Sequence, residues 1–335
     1  MSLNPLVLLC AALLVGCGDA PSAAETPDGG GDAPTKIGKT FSAAADAPQY
    51  EGTSFRAMQV YDLEAEVYLD EPALLEALDD NRLLFFGEQH ETAPVQELEL
   101  WLLKRMTTRH SDVSLAMEHF QRDEQPIVDN YLAGAISTAD FEKTSQPWKG
   151  YAQYWKPLVE HMKASGRPVL ALNVPAEALE MLYAKYPTTP LTAFNAWDAS
   201  FKYDQSIAPR PVAAWDATYK SYFEANFDYA AHGKKLGMTY ADALNYFTDL
   251  ALIRDETMGY FIAQGLKNSG RVMTVAGDWH VQTGLATPDR AVRFAGDSSR
   301  YDLVTTTTAS KLVAMRNERV SGRKVARFVL VYEAR

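Results

Sequence analysis

The chain has 335 residues, 47% of them apolar and 22% charged, which is ample material for a core and is compatible with one large domain or two. Its 43 acidic residues against 32 basic ones give a formal charge of −11 without a basic stripe or a run of Lys and Arg, which excludes nucleic acid as a partner. Only Cys10 and Cys17 are present, so thiolate chemistry, Cys-ligated zinc and iron–sulfur clusters are excluded by count.

In chain order, the apolar stretch Leu6 to Val15 has the length of a signal-peptide core and is too short to span a bilayer. It ends on Leu14-Val15-Gly16-Cys17, the pattern of a bacterial lipobox, which makes residues 1–17 a lipoprotein signal peptide and Cys17 the lipidation site. Gly18 carries no inner-membrane retention signal, so the expected location is the cell envelope, lipid-anchored, at the outer membrane. Residues 18–50 are rich in Ala, Pro, Gly, Ser and Asp, and read as a flexible tether.

Beyond the tether, a domain over residues 55–335 alternates short apolar runs with longer periodic segments. The runs "LLFFG" (83–87), "VSLAME" (113–118), "PVLALNV" (168–174) and "RVMTVAG" (271–277) predict strands covered on both faces. Residues 93–109 and 151–165 have helical spacing, the second with Gly166 placed as its C-cap. Strand–helix–strand alternation predicts an α/β fold with a mostly parallel central sheet flanked by helices. Residues 190–247 break the rhythm and read as a helical insertion over the sheet, with long helices at 211–231 and 239–267. The β-rich segments 300–308 and 325–333, separated by the turn Ser321-Gly322, predict a C-terminal antiparallel edge.

Two of the predicted strands end alike, on "GEQH" (87–90) and on "GDWH" (277–280), each a Gly-x-x-His. In an open α/β sheet, ligands collect beyond the carboxyl ends of the strands. Glu88 and His90, two apart on an extended chain, project to one side. Glycine before them, at Gly87 and Gly277, permits a turn or a close approach that a Cβ would block. A third strand ends on Glu118. Glu88, His90, Glu118 and His280 together suit a divalent metal or an acid–base assembly. Against this, Glu118 could cap a helix or pair with Arg122, and His110, His161 and His232 read as ordinary hydrogen-bonded histidines. In the insertion, Tyr219, Tyr222, Asn226 and Tyr229 fall on one helical face, near Phe223 and Trp215. That face either packs aromatics on the sheet or walls a flat apolar ligand.

These residues resemble the ChaN-like haem-binding lipoproteins, grouped with the Tiki/TraB and erythromycin-esterase-like proteins. The resemblance rests on "GEQH" (87–90), "MEHFQRDEQPIVDNYLAG" (117–134), "GRPVLALNVP" (166–175), "ALIRDETMG" (251–259) and "VAGDWHVQTGLATPDR" (275–290). It implies a haem-binding lipoprotein of iron or haem uptake, with haem as cofactor and a pocket at the two Gly-x-x-His strand ends. The lining expected there is Gly87, Gly277, Trp279, Arg122, Tyr219 and Tyr222. Where the family often has a small residue before the second histidine, this chain has Trp279, a bulky indole beside the pocket. The expected partners are haem or another small molecule and the membrane through the lipid anchor, with a homodimer left open. Two alternatives stand beside this one. The first is a metal-dependent hydrolase using Glu88, His90, Glu118 and His280, and the second is a structural envelope lipoprotein with a degenerate site. No Gly-x-Ser-x-Gly elbow, Walker loop or Rossmann glycine fingerprint is present.

Overall fold

A computed structural model describes residues 38–145, 147–185, 189–296 and 300–335. The proposed signal peptide, Cys17 and the tether up to residue 37 lie outside the described residues. Among those described, nine strands form one sheet: β1 (Thr40–Phe41), β2 (Phe55–Asp62), β3 (Val67–Leu69), β4 (Leu83–Glu88), β5 (Val113–Gln121), β6 (Val169–Asn173), β7 (Arg271–Gly277), β8 (Tyr301–Thr308) and β9 (Phe328–Ala334). Their order is β1-β3-β2-β9-β8-β4-β7-β5-β6. The six strands from β9 to β6 are parallel, and β1, β3 and β2 add an antiparallel edge onto β9. The α/β fold with a mostly parallel sheet and an antiparallel edge is therefore present.

The edge is built differently in detail. β8 and β9 are parallel to each other, because the helix Ala309–Asn317 crosses between them, and the antiparallel partner of β9 is the N-terminal β2. β1, from the segment read as tether, pairs with β3.

Strand alternation explains the apolar runs. In β4, Leu84 and Phe86 enter a core with Leu98 and Leu102 of the helix Ala93–Arg109, whereas Leu83 and Phe85 enter a second core with Met258 and Ile262 of the long helix Tyr240–Asn268. Every residue of β4 is buried. Each such side chain contributes roughly 2 kcal/mol by leaving water.

The segment 151–165 forms two helices, Tyr151–Tyr154 and Lys156–Ala164, with Trp155 between them and Pro157 at the start of the second. A proline in the first turn fits there because its missing N–H is an orphan in any case. Gly166 ends this helix in the left-handed region (φ +64°), as a C-cap requires.

The insertion is less helical than its composition suggests. The helix expected over 211–231 is confined to Ala217–Asn226. Asp216 caps its start by accepting from the Tyr219 amide at 2.8 Å. Before it, Asn195 holds both backbone groups of Val212 at 2.8 Å, an arrangement a helix would not allow. The helix expected at 239–267 is the long one, capped by Thr239. The insertion has an apolar core of its own, including Leu191, Phe194, Tyr219, Tyr222, Phe223 and Phe247.

Candidate functional site

The two Gly-x-x-His segments meet because β4 and β7 are neighbours in register, with Gly87 opposite Ala276 and Glu88 opposite Gly277. The third strand, β5, lies on the other side of β7. At Gly87, an added Cβ would collide with the Asp278 carboxylate and press on Val281, which is why glycine occupies that position. The chain after Gly277 does not stay extended. It turns at once into the short helix Asp278–Val281, which carries His280.

The side chains gather in two groups. In the first, a single oxygen of Glu88, Oε1, meets His90 Nδ1 and, at 2.6 Å, His119 Nε2. The other oxygen accepts from Gln96 Nε2 at 2.9 Å and from the Trp155 indole at 3.0 Å. The break between the two helices at Trp155 is thus what delivers that indole. Trp148 packs edge-on against both imidazoles, with ring centres 5.1 and 4.9 Å away.

In the second group, Glu118 accepts from the Gly277 amide at 2.8 Å and stands 3.6 Å from His280 Nε2. The far nitrogen of His280, Nδ1, donates to Asp255 at 2.6 Å. Asp255, from the long helix, also accepts from the Tyr219 hydroxyl at 2.5 Å and from Thr287 at 2.7 Å. A small cavity of about 20 Å³ lies beside it, lined by Tyr219, Tyr222, Phe223, Asp255, Trp279 and His280, with room for one water.

Parity along β5 decides this division. Leu115 and Met117 share the core of the helix Ala93–Arg109, and His119 joins Glu88 on that side before the strand becomes irregular and Phe120 enters the same core. Ala116 lies in the core under the long helix, so Glu118 faces the opposite side and joins His280.

Electrostatics couple the two groups. Burial pushes the Glu88 carboxyl up, but His119 and His90 overcome this and hold it well below the usual range. Burial lowers His90, while the Glu88 carboxylate and, more weakly, Glu118 raise it to a net upward shift. Burial raises Glu118, but His280, His90, the Gly277 amide and His119 together outweigh this and leave it lowered. His280 is pushed down by burial and up by Asp255 and Glu118, ending raised. Two further acids stand out. Glu99, fully buried, is held well above the usual carboxylate range by burial and by the Glu88 charge. Asp278 is pushed up to about 6, chiefly by burial, although Thr305 donates to it at 2.9 Å.

Trp279 lines the cavity and its carbonyl accepts from the Tyr222 hydroxyl at 2.8 Å. Of the expected lining, Arg122 is found elsewhere. The short turn Arg122–Glu124 swings it onto the Phe261 ring, 4.2 Å away, with hydrogen bonds to Gln125 and the Ala171 carbonyl. Tyr229 falls beyond the end of its helix and donates to the Met238 carbonyl. His119, Asp255, Gln96, Glu99 and Trp155 were not singled out from sequence. His119 sits beside Glu118 in "MEH", and strand alternation was the signal that could have placed it.

The family model of haem-binding uptake proteins, Tiki superfamily, ChaN, matches residues 74–291. The chain belongs to the ChaN family. Among solved structures, ChaN of Campylobacter jejuni, which binds haem cofacially, shares the fold at 14% identity with a TM-score of 0.58, over 85% of this chain and 100% of its own. A Bacillus cereus protein (12% identity, TM-score 0.42, 70% of this chain and 68% of its own) and an erythromycin esterase in its open conformation (12% identity, TM-score 0.42, 83% of each chain) are more distant. No curated protein matches the sequence.

The residues present can be tested against the two groups this family and site imply. A porphyrin needs several hundred Å³ and does not fit a cavity that holds one water. A divalent metal fits better. Glu88, His90 and His119 each offer a ligand atom, all within 4.8 Å of one another; among the described residues the ring nitrogens opposite those that meet Glu88, His90 Nε2 and His119 Nδ1, have no hydrogen-bond partner.

Proposed function

We propose that this protein is a haem-binding lipoprotein of the bacterial envelope that serves iron or haem uptake, anchored through Cys17 at the outer membrane. The family match over residues 74–291 carries this reading, and the lipobox supports the anchor. The cavity beside His280 is too small to enclose a porphyrin, so the family match, and not that cavity, supports this reading. Haemin titration of the full-length chain tests the proposal: a saturable Soret band is expected, and an absorbance no different from free haemin would sink it.

A specific observation favours a second reading, a metal-dependent hydrolase: three ligand atoms gathered within 4.8 Å in a buried site. A bound divalent ion would supply Lewis-acid charge to a carbonyl or a water. Glu88, His90 and His119 would hold it, with Gln96 and Trp155 fixing the Glu88 carboxylate. Glu118, whose Oε1 is buried without a donor, and His280 Nε2 face each other across 3.6 Å, a gap in which a proton can be taken up or delivered. Stoichiometric divalent metal on the purified chain, without haemin binding, would select this reading over the first.

A further inference from the structure

At the end of the sheet opposite the site, the starts of β4, β8 and β9 open into a cleft of about 830 Å³. Among the described residues five basic side chains line it, Arg300, Arg319, Arg323, Lys324 and Arg327, with the carboxylates Glu64 and Asp302; Asp289, Glu66 and Asp62 stand against Arg323, Lys324 and Arg327 from beside it. The linear sequence conceals this gathering of cations because the fold brings Arg300 to the segment 319–327.

The basic groups are held in place. Ser321 and Gly322 both adopt left-handed backbone (φ +51° and +79°), and Val320 and Arg323 exchange two backbone hydrogen bonds of 3.0 Å, so a tight hairpin turn fixes Arg319 and Arg323 on its two sides. Arg323 is anchored by Asp289 at 2.9 Å. Asp302 is taken up by Arg327 at 2.8 Å and Asn81 at 2.9 Å, and Glu64 is two-thirds exposed at the rim. Lys324 reaches the Leu63 carbonyl, with Glu66 at 3.5 Å. Among the described residues, the Arg319 guanidinium meets only the backbone carbonyls of Arg316 and Glu318, so it has donors to spare, and Arg327 Nε makes no hydrogen bond but stands 3.8 Å from the Asp62 and Glu64 carboxylates. Beside the cations, Val292, Leu303 and Ala326 form an apolar wall.

We propose that this cleft is a second binding site, for an organic phosphate whose anionic head meets Arg319, Arg323 and Arg327 and whose body lies along the apolar wall. Arginine suits the head because its planar fork of N–H donors matches phosphate oxygens. The volume exceeds what one inorganic ion fills and lies in the range of small-molecule sites. The same head chemistry occurs on a free organic phosphate and on a phospholipid, so the test has an arm for each.

The test uses the full-length chain carrying Cys17→Ser, so that no acyl chain contributes. Calorimetric titration with pyrophosphate should show saturable binding, weakened about tenfold or more by Arg319→Glu, as expected for losing a charge-assisted hydrogen bond. Among the described residues Arg319 hydrogen-bonds only to backbone carbonyls, so circular dichroism of that variant should match the parent. Arg300→Glu gives an independent check at the other rim. In the second arm, sedimentation with phosphatidylglycerol vesicles, but not phosphatidylcholine vesicles, that pyrophosphate displaces and Arg319→Glu abolishes would assign the head to a lipid. Pyrophosphate binding without vesicle binding would assign it to a soluble phosphate. Failure of pyrophosphate and anionic vesicles alike, or binding that both variants leave unchanged, would overturn the proposal.

Discussion

Asp255→Asn isolates the charge behind His280 while keeping the side chain's shape. The wild-type carboxylate accepts three hydrogen bonds, from Tyr219, His280 and Thr287, at 2.5 to 2.7 Å. An amide keeps one acceptor oxygen for His280 and Thr287, but its NH2 now faces the Tyr219 hydroxyl, whose own hydrogen loses its acceptor. A lost neutral hydrogen bond costs about 1 kcal/mol and one to a charged group about 1.5–3 kcal/mol. The sign of the pH dependence follows from His280, which Asp255 raises in the fold against the effect of burial. A raised histidine contributes stability that is fully present below its unfolded value of about 6.5 and is lost as pH rises through its folded value. Asp255→Asn removes the source of that stability. The lost Tyr219–carboxylate bond should cost about 1.5–3 kcal/mol near pH 9, and urea unfolding should show a loss larger than this near pH 5.5, where the lost pairing with the imidazolium adds to it. Equal losses at the two pH values would refute the pairing of Asp255 with an imidazolium.

Three further outcomes are expected. Gly87→Ala should destabilise by about 1–3 kcal/mol in the same assay, because the new methyl group collides with Asp278, and a neutral result would remove the reason given for the glycine. His119→Ala should lower divalent-metal affinity by at least tenfold in a competitive chelator titration, whereas His280→Ala should lower it less; the reverse ranking would move the metal centre to the second group. Cys17→Ser should release the protein from the membrane fraction, and persistence there in high salt would end the lipoprotein reading.

The parallel strands were legible in the sequence because burial on both faces leaves continuous apolar runs. Leu83 to Phe86 serve two cores by turns, so no polar residue interrupts them. The insertion was less legible. Residues 211–216 carry no helix because Asn195, sixteen or more residues away, captures the backbone of Val212, an interaction that local periodicity does not record. The same holds for the crossover between β8 and β9: the turn at Ser321-Gly322 is present, but it lies inside a longer connection that also contains the helix Ala309–Asn317.

At the site, sequence spacing identified which strands converge but not which side chains share a face. Glu118 and His119 are consecutive on an extended strand and go to different partners, Glu118 to the Gly277 amide and His119 to Glu88. Treating "MEH" as the source of a single ligand, Glu118, left the Glu88 and His90 pair without its third member. With the faces known, the arrangement becomes two histidine–carboxylate groups: Glu88 with His90 and His119 under Trp148 and Trp155, and Asp255 with His280 against Glu118. Each buried histidine has a carboxylate to pair with, which lowers the cost of placing these groups out of water. Among the described residues, the atoms without a hydrogen bond are His90 Nε2, His119 Nδ1, Gln96 Oε1 and the Glu99 oxygens around the first group and Glu118 Oε1 in the other. An imidazole nitrogen and a carboxylate oxygen left unpaired in a buried site are more costly than the same atoms bound, so the fold bears this cost where a ligand can recover it. That both groups sit at the one sheet end reached by two in-register Gly-x-x-His strands gives the apolar run ending at Phe86 its reason for stopping where it does.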